Sequence, residues 1–171
     1  GEYQNVFKTQ LKDAPCADPA CCCGSFICCP CSVYSSRVDA LNNDMSQYSC
    51  CQGYYPCTKC FDGCDSEMPH CCLFLEAFCC CSCSISATRM MVMDRYELHS
   101  DPCDRKMIRL NNCLQCLSCV CDILAMCDPE FRECAQCLDI ASQLFYCSLQ
   151  ACMVTQVHVE LKHRRASEGN T

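Results

Sequence analysis

The chain has 171 residues, of which 28 are cysteine, and its formal net charge is −7. Tryptophan is absent and aromatic residues make up only 8% of the chain, so sulfur chemistry must help a modest apolar core to stabilise the fold. An acidic chain has no general attraction to phosphate backbones, which excludes nucleic acid as an expected partner.

The first 69 residues are predicted to be loop-rich, because prolines and glycines punctuate them and their cysteines come in tight runs. Only residues 36–45 show helical spacing there, through Val38, Leu41 and Met45. Adjacent cysteines point in different directions, so we expect the runs to serve more than one metal site. Their predicted metal ligands are Cys21, Cys22, Cys23, Cys28, Cys29, Cys31, Cys50 and Cys51.

A second group of donors has the spacing of a structural zinc knuckle. Short-spaced cysteine pairs followed by further donors within about 15 residues are typical of tetrahedral Zn²⁺ sites. The group comprises Cys57, Cys60, Cys64, Cys71 and Cys72, with His70 as an optional ligand.

Residues 70–165 are predicted to be helical. A continuous apolar stretch predicts one helix from His70 to Met93, opened by Pro69, and a second helix is expected from Lys106 to Cys127. Asp128-Pro129-Glu130 has the pattern of a helix start and predicts a third helix to Arg165. Residues 166–171 are expected to be a disordered tail of this single cysteine-rich domain.

The last two predicted helices bring cysteines level with one another if they run antiparallel around Asp128. Residues three apart share a helix face, so two pairs, Cys116 with Cys119 and Cys134 with Cys137, would face each other and supply four sulfurs to one ion. The same argument pairs Cys103 with Cys152. Cys113, Cys116, Cys119, Cys134, Cys137 and Cys152 are accordingly further predicted metal ligands.

Residues 71–93 have the length of a membrane span, but Glu76 and Arg89 interrupt them, and six cysteines supply much of their apolar character. A buried helix is therefore the favoured interpretation, with a membrane segment as the alternative.

Two segments resemble the placenta-specific-eight-like family, which includes cornifelin, the plant cell-number regulators and the plant cadmium-resistance proteins. Gln156, Glu160, Leu161, Lys162 and Arg164 match its closing Gln-x-x-x-Glu-Leu-Lys-x-Arg motif. The other segment, Cys22-Cys23 followed by Cys29-Pro30-Cys31, is similar to the family's Cys-Cys-x4-Cys-Pro-Cys pattern with one residue more between its halves. The resemblance implies a role in handling divalent metals, zinc and cadmium foremost, in proteins often found at membranes. Residues 71–93 and 107–127 would then correspond to the family's hydrophobic segments.

The sequence thus predicts a mainly α-helical protein: an irregular N-terminal part followed by a bundle of about three helices, cross-linked by several Zn²⁺–thiolate sites. Because one or two structural ions suffice for a domain of this size, the excess of thiols favours metal homeostasis or tolerance. No catalytic motif is present, so an enzyme is not expected, and reduced thiols favour a cytoplasmic, optionally membrane-associated protein with metal ions as its partners.

Four alternatives stay open at this stage. Thiols and methionines such as Met90, Met91 and Met93 also suit Cu(I) storage. Cys113-x2-Cys116-x2-Cys119 resembles the start of an Fe–S run, though the fourth cysteine is missing. Disulfides or metals could cross-link a structural protein whose function is to bind partners. Adjacent cysteines such as Cys79, Cys80 and Cys81 could also be S-acylated at a membrane.

Overall fold

The computed structural model describes residues 5–55 and 67–169. Its contacts divide the chain into two compact units: unit 1 comprises residues 1–101 and 150–171, and unit 2 comprises residues 102–149. The expected mainly helical fold is confirmed, but the described residues form seven α-helices, more than the expected bundle of about three. The sequence predicts a single domain.

The expectation that residues 1–69 are loop-rich is wrong for residues 14–40, which are almost entirely helical. Pro15, Pro19 and Pro30 lie in the first turns of helices, where a missing N–H removes no helical hydrogen bond. The Asp18 carboxylate also accepts a hydrogen bond from the Cys21 N–H at 3.0 Å and so caps one helix start. The three helices are α1 (Ala14–Ala17), α2 (Pro19–Ile27) and α3 (Cys29–Ala40).

The predicted helix over 70–93 forms as two helices rather than one. They are α4 (Pro69–Cys79) and α5 (Cys81–Tyr96), and their axes differ by 117° because Cys80 between them leaves the helical conformation. A left-handed Glu97, with φ 52°, ends α5. The short strand β1 (Asn5–Val6) then pairs in parallel with β2 (Leu98–His99) and anchors the N-terminal segment to unit 1.

Unit 1 combines a small apolar cluster with a set of buried polar side chains. Leu41, Tyr48 and Leu73 form the cluster, which links the end of α3 to α4. The second half of the last helix is also buried in unit 1, through residues such as Val154 and Val157. The polar side chains that share this interior are Ser25, Ser36, Arg37, Glu76, Ser84, Thr88, Arg89, Gln150, Thr155, Gln156 and Glu160.

Unit 2 is a helical hairpin. It contains α6 (Pro102–Cys127) and the first part of α7 (Arg132–Glu168), joined by a 3-10 turn over Pro129–Phe131. The Asp128 side chain accepts a hydrogen bond from the Glu130 N–H at 3.0 Å, as the helix-start pattern predicts. Both predicted helices are confirmed with small shifts of their ends, except that residues 166–168 continue α7 instead of belonging to a disordered tail.

Candidate metal centre

Two cysteines and one carboxylate form a compact group of metal-type donors in unit 1. One ligand atom from each of Cys50, Cys51 and Glu76 lies within 4.8 Å of the others. Cys51 and Glu76 are buried and Cys50 is half-buried. We refer to these three residues as the Cys50 centre; among the described residues it is the one group of three such donors with this spacing.

The backbone around Cys51 explains why the two thiols meet α4. Cys51 and Gln52 have φ values of 45° and 49°, so the chain turns tightly through the left-handed region within the 3-10 segment Cys50–Gly53. The Gln52 side chain accepts a hydrogen bond from the Ser49 N–H at 3.2 Å and closes this turn. The turn aims the Cys51 N–H at Oε2 of Glu76, 2.8 Å away.

Glu76 also receives hydrogen bonds from two side chains. Arg37 Nη2 donates to its Oε1 at 3.0 Å, and the Tyr48 hydroxyl donates to its Oε2 at 2.9 Å. With the Cys51 N–H, the carboxylate accepts three hydrogen bonds. An ionised carboxylate offers about four lone-pair sites, so one acceptor position remains on Glu76.

The surroundings keep the Cys51 thiol protonated in the absence of a cation. Burial raises the pKa of Cys51 far above its ordinary value, and the negative charge of Glu76 raises it further. A bound divalent ion would reverse this preference, because its positive charge favours the thiolate.

The predicted metal ligands within residues 21–31 lie outside the Cys50 centre and contact other cysteines. Cys28 and Cys31 are joined by a disulfide across the first turn of α3. Cys29 contacts Cys81 on α5, with a sulfur–sulfur distance of 2.9 Å. Burial, together with the neighbouring Cys22, raises the pKa of the buried Cys152 of α7 to about 11.

Two neighbours in the same run differ in exposure. Burial raises the pKa of the half-buried Cys21 thiol. Cys23 is exposed.

The predicted zinc knuckle lies partly outside the described residues, which include neither Cys57 nor Cys60 nor Cys64. The remaining members of the group, His70, Cys71 and Cys72, have different surroundings. His70 Nδ1 is hydrogen-bonded with the Tyr34 hydroxyl at 2.8 Å, and Cys72 packs against the apolar cluster while Cys71 is exposed.

The hairpin is antiparallel as predicted, and polar side chains meet across it. Ser118 and Asp139 are hydrogen-bonded across the hairpin, Ser142 contacts Ser118 at 3.4 Å, and Gln115 Nε2 donates to the Ser142 carbonyl at 3.2 Å. These polar groups occupy the inner face because they satisfy one another there. The cysteines expected to lie inside, Cys113, Cys116, Cys119, Cys134 and Cys137, are exposed.

Residues of the closing motif have structural contacts in unit 1. Gln156 Oε1 accepts a hydrogen bond from Arg89 Nε at 2.9 Å, and its Nε2 donates to the Thr9 carbonyl at 3.0 Å. Glu160 accepts hydrogen bonds from the Lys8 N–H and from Arg164 Nε, both at 2.7 Å. The motif therefore joins α7 to α5 and to the N-terminal segment.

Sequence reasoning missed Glu76 and Cys81. Glu76 interrupts an apolar stretch of the sequence, and a charged residue in such a stretch indicates a buried partner. Nothing in the sequence distinguishes Cys81 from its neighbours Cys79 and Cys80.

In the part of the chain that the structure describes, two helical stretches are long and apolar enough to cross a membrane, Pro102–Cys127 and Pro129–Glu168. The bent pair α4–α5 would add a third span if counted as one. Within α6, large apolar side chains are exposed, among them Leu110, Leu117, Val120, Ile123 and Met126. Comparison with known proteins adds no relative: no family model, no curated protein and no solved structure matches the chain.

Proposed function

We propose that this protein binds a thiophilic divalent ion, Zn²⁺ or Cd²⁺, at the Cys50 centre and serves metal homeostasis or tolerance. The supporting observation is the donor set itself, two thiols and a carboxylate within 4.8 Å in a largely buried position. Thiolate and carboxylate are both established zinc ligands, and thiolate sulfur strengthens the preference for softer ions such as Cd²⁺.

Three protein ligands suit an exchangeable ion. Structural zinc sites are closed by four protein ligands, whereas a site with three keeps one tetrahedral position open. The remaining acceptor position on Glu76 is compatible with coordination while Arg37, Tyr48 and the Cys51 N–H stay bonded to it. An ion with an open position can be passed to another thiol ligand, as a homeostatic role requires.

Cu(I) is the second candidate occupant. Met91 lies near the Cys50 centre, because Gln52 Nε2 donates a hydrogen bond to its sulfur at 3.3 Å. Thiolate and thioether sulfur are the ligands that Cu(I) prefers. A Cys50 centre that binds Cu(I) more tightly than Zn²⁺ would assign the protein to copper storage.

The test is a chelator-buffered Cd²⁺ titration of the full chain, followed by cadmium–thiolate charge-transfer absorption in the ultraviolet. The double variant Cys50→Ser/Cys51→Ser should weaken the tightest site by at least about 10–100-fold, since loss even of groups that only support a ligand has effects of that size. Cys16→Ser/Cys23→Ser is the matched control, because both thiols are exposed in the same unit. Equal affinity in the two double variants would remove the Cys50 centre from the proposal.

We also propose that unit 2 inserts into a membrane and makes the protein membrane-associated. At 1.5 Å per residue, the apolar stretches 110–127 of α6 and 134–149 of α7 are about 27 Å and about 24 Å long, against a hydrocarbon core of about 30 Å. The apolar stretch of each helix contains one charged residue, Asp122 or Asp139, and both line the cavity between the helices. Ionisable residues within membrane spans face the protein interior in this way.

A further inference from the structure

Cys29 and Cys81 lie at the first residues of α3 and α5, and their sulfur atoms are 2.9 Å apart. We propose that they form a redox-active dithiol, which reacts with low-molecular-weight disulfides of the glutathione class and closes to a disulfide between the two helices. This site is separate from the Cys50 centre and its chemistry does not depend on a bound metal.

The helices hold the two sulfurs in position. Arg37 of α3 donates hydrogen bonds to two groups of α5, the Thr88 hydroxyl at 2.7 Å and the Ser84 carbonyl at 2.8 Å. The guanidinium is fully buried, and these hydrogen bonds join α3 to α5. Because a disulfide has a sulfur–sulfur distance of about 2.05 Å, closure requires an approach of only about 0.9 Å.

The contact between the Cys29 and Cys81 sulfur atoms also gives the two thiols different roles. The hydrogen bond from Cys29 lowers the pKa of Cys81 and outweighs the opposing effect of burial. The thiolate is the reactive form of cysteine, so Cys81 is the attacking residue and Cys29 is the resolving residue. Both are half-buried, which leaves a path for a small reagent.

The reaction is a balanced two-electron exchange. Cys81 thiolate attacks one sulfur of the reagent R–S–S–R, forms a mixed disulfide and releases R–S⁻. Cys29 then loses its proton to a released R–S⁻ and attacks Cys81 Sγ, which forms the Cys29–Cys81 bond and expels the second R–S⁻. The protein is oxidised by two electrons, and the reagent is reduced to two thiols.

The experiment treats the reduced full-length chain with glutathione disulfide and maps disulfides by mass spectrometry after non-reducing trypsin digestion. The expected bond links the peptide of residues 13–37 to that of residues 60–89. Cys81→Ser should abolish the link. Cys29→Ser should abolish it and also leave one glutathione attached at Cys81, because the resolving thiol is gone.

Two exposed thiols on the same two peptides, Cys23 and Cys79, provide the controls. Cys23→Ser and Cys79→Ser should leave the yield of the link unchanged. A link that persists in Cys29→Ser or Cys81→Ser, equal loss in the controls, or glutathione spread over the exposed thiols of Cys29→Ser would each overturn the assignment. Circular dichroism of every variant shows whether the fold is intact. Glutathione attached at Cys81 alone adds mass at a single residue, which misfolding of Cys29→Ser would not produce.

Discussion

Arg37 Nη2 on α3 donates a hydrogen bond to Oε1 of Glu76 on α4 at 3.0 Å, with both side chains buried. The carboxylate neutralises a guanidinium that has no access to water, and the same guanidinium reaches α5. This ion pair therefore joins three helices of unit 1. Removing one member leaves the other as an uncompensated buried charge.

Arg37→Met is expected to lower the free energy of unfolding by about 3–5 kcal/mol, the range for breaking a buried ion pair by removing one partner. Urea denaturation followed by circular dichroism measures the change. Arg37→Met combined with Glu76→Gln should destabilise by less than the sum of the two single changes, because the double variant leaves no charge behind. Additive effects would show that the pair is not coupled.

Gln156→Leu is expected to destabilise the protein by about 1–3 kcal/mol, since it removes hydrogen bonds to the buried Arg89 side chain and to the Thr9 carbonyl. Gln136→Leu is the control, because Gln136 is exposed near the start of α7. If both variants unfold at the same urea concentration, Gln156 does not have the role that its contacts indicate.

Cd²⁺ should stabilise the folded chain through the Cys50 centre. At a concentration of unbound ion a hundredfold above Kd, linkage gives an increase of about 2.7 kcal/mol in the free energy of unfolding. The increase is read from the urea midpoint and should disappear on adding a chelator. Cys50→Ser/Cys51→Ser should reduce it, and an undiminished increase in that variant would place the stabilising ion elsewhere.

Leu117→Arg should weaken binding of the protein to phospholipid vesicles by about a hundredfold, because arginine at the centre of a span carries a penalty of about 2.5–3.5 kcal/mol. Leu117 is 48% exposed on α6, so the change does not disturb the hairpin interior. Gln136→Arg adds the same charge near the turn and should bind as the unaltered protein does. Flotation of the protein with vesicles gives the comparison, and equal flotation of all three proteins would contradict insertion of unit 2.

Cys134→Ser/Cys137→Ser should change the free energy of unfolding of the reduced, metal-free chain by no more than about 0.5 kcal/mol, the usual range for surface substitutions. Both thiols are exposed on α7. A larger loss in urea denaturation would support the facing pairs that the sequence predicts.

The hairpin was largely predictable from sequence, whereas the positions of its cysteines were not. Asp128-Pro129-Glu130 specifies a helix start by local hydrogen bonding, and the structure has that start. Which face of α6 meets α7 depends on Ser118 and Asp139 finding each other across the hairpin. If cysteine is treated as an apolar residue, the sequence predicts that the thiols, and not Ser118 and Asp139, lie on the inner face of the hairpin.

The N-terminal helices and the place of Glu76 beside Cys50 and Cys51 escaped prediction for two further reasons. Proline breaks a helix in its interior but fits its first turn. Pro19 and Pro30 could therefore indicate either a loop or a helix start, and the sequence does not show where these helices begin. Glu76 meets Arg37, 39 residues earlier in the chain. Such a long-range pair follows from how α3 and α4 pack, and neither helix alone encodes it.

Glu76 has a consequence for how this protein can evolve. One carboxylate balances the charge of Arg37 and belongs to the proposed ion-binding group. A substitution that tunes ion selectivity at this position would alter the folding of unit 1 as well, so adaptation to a different metal is easier at Cys50, which the ion pair does not use.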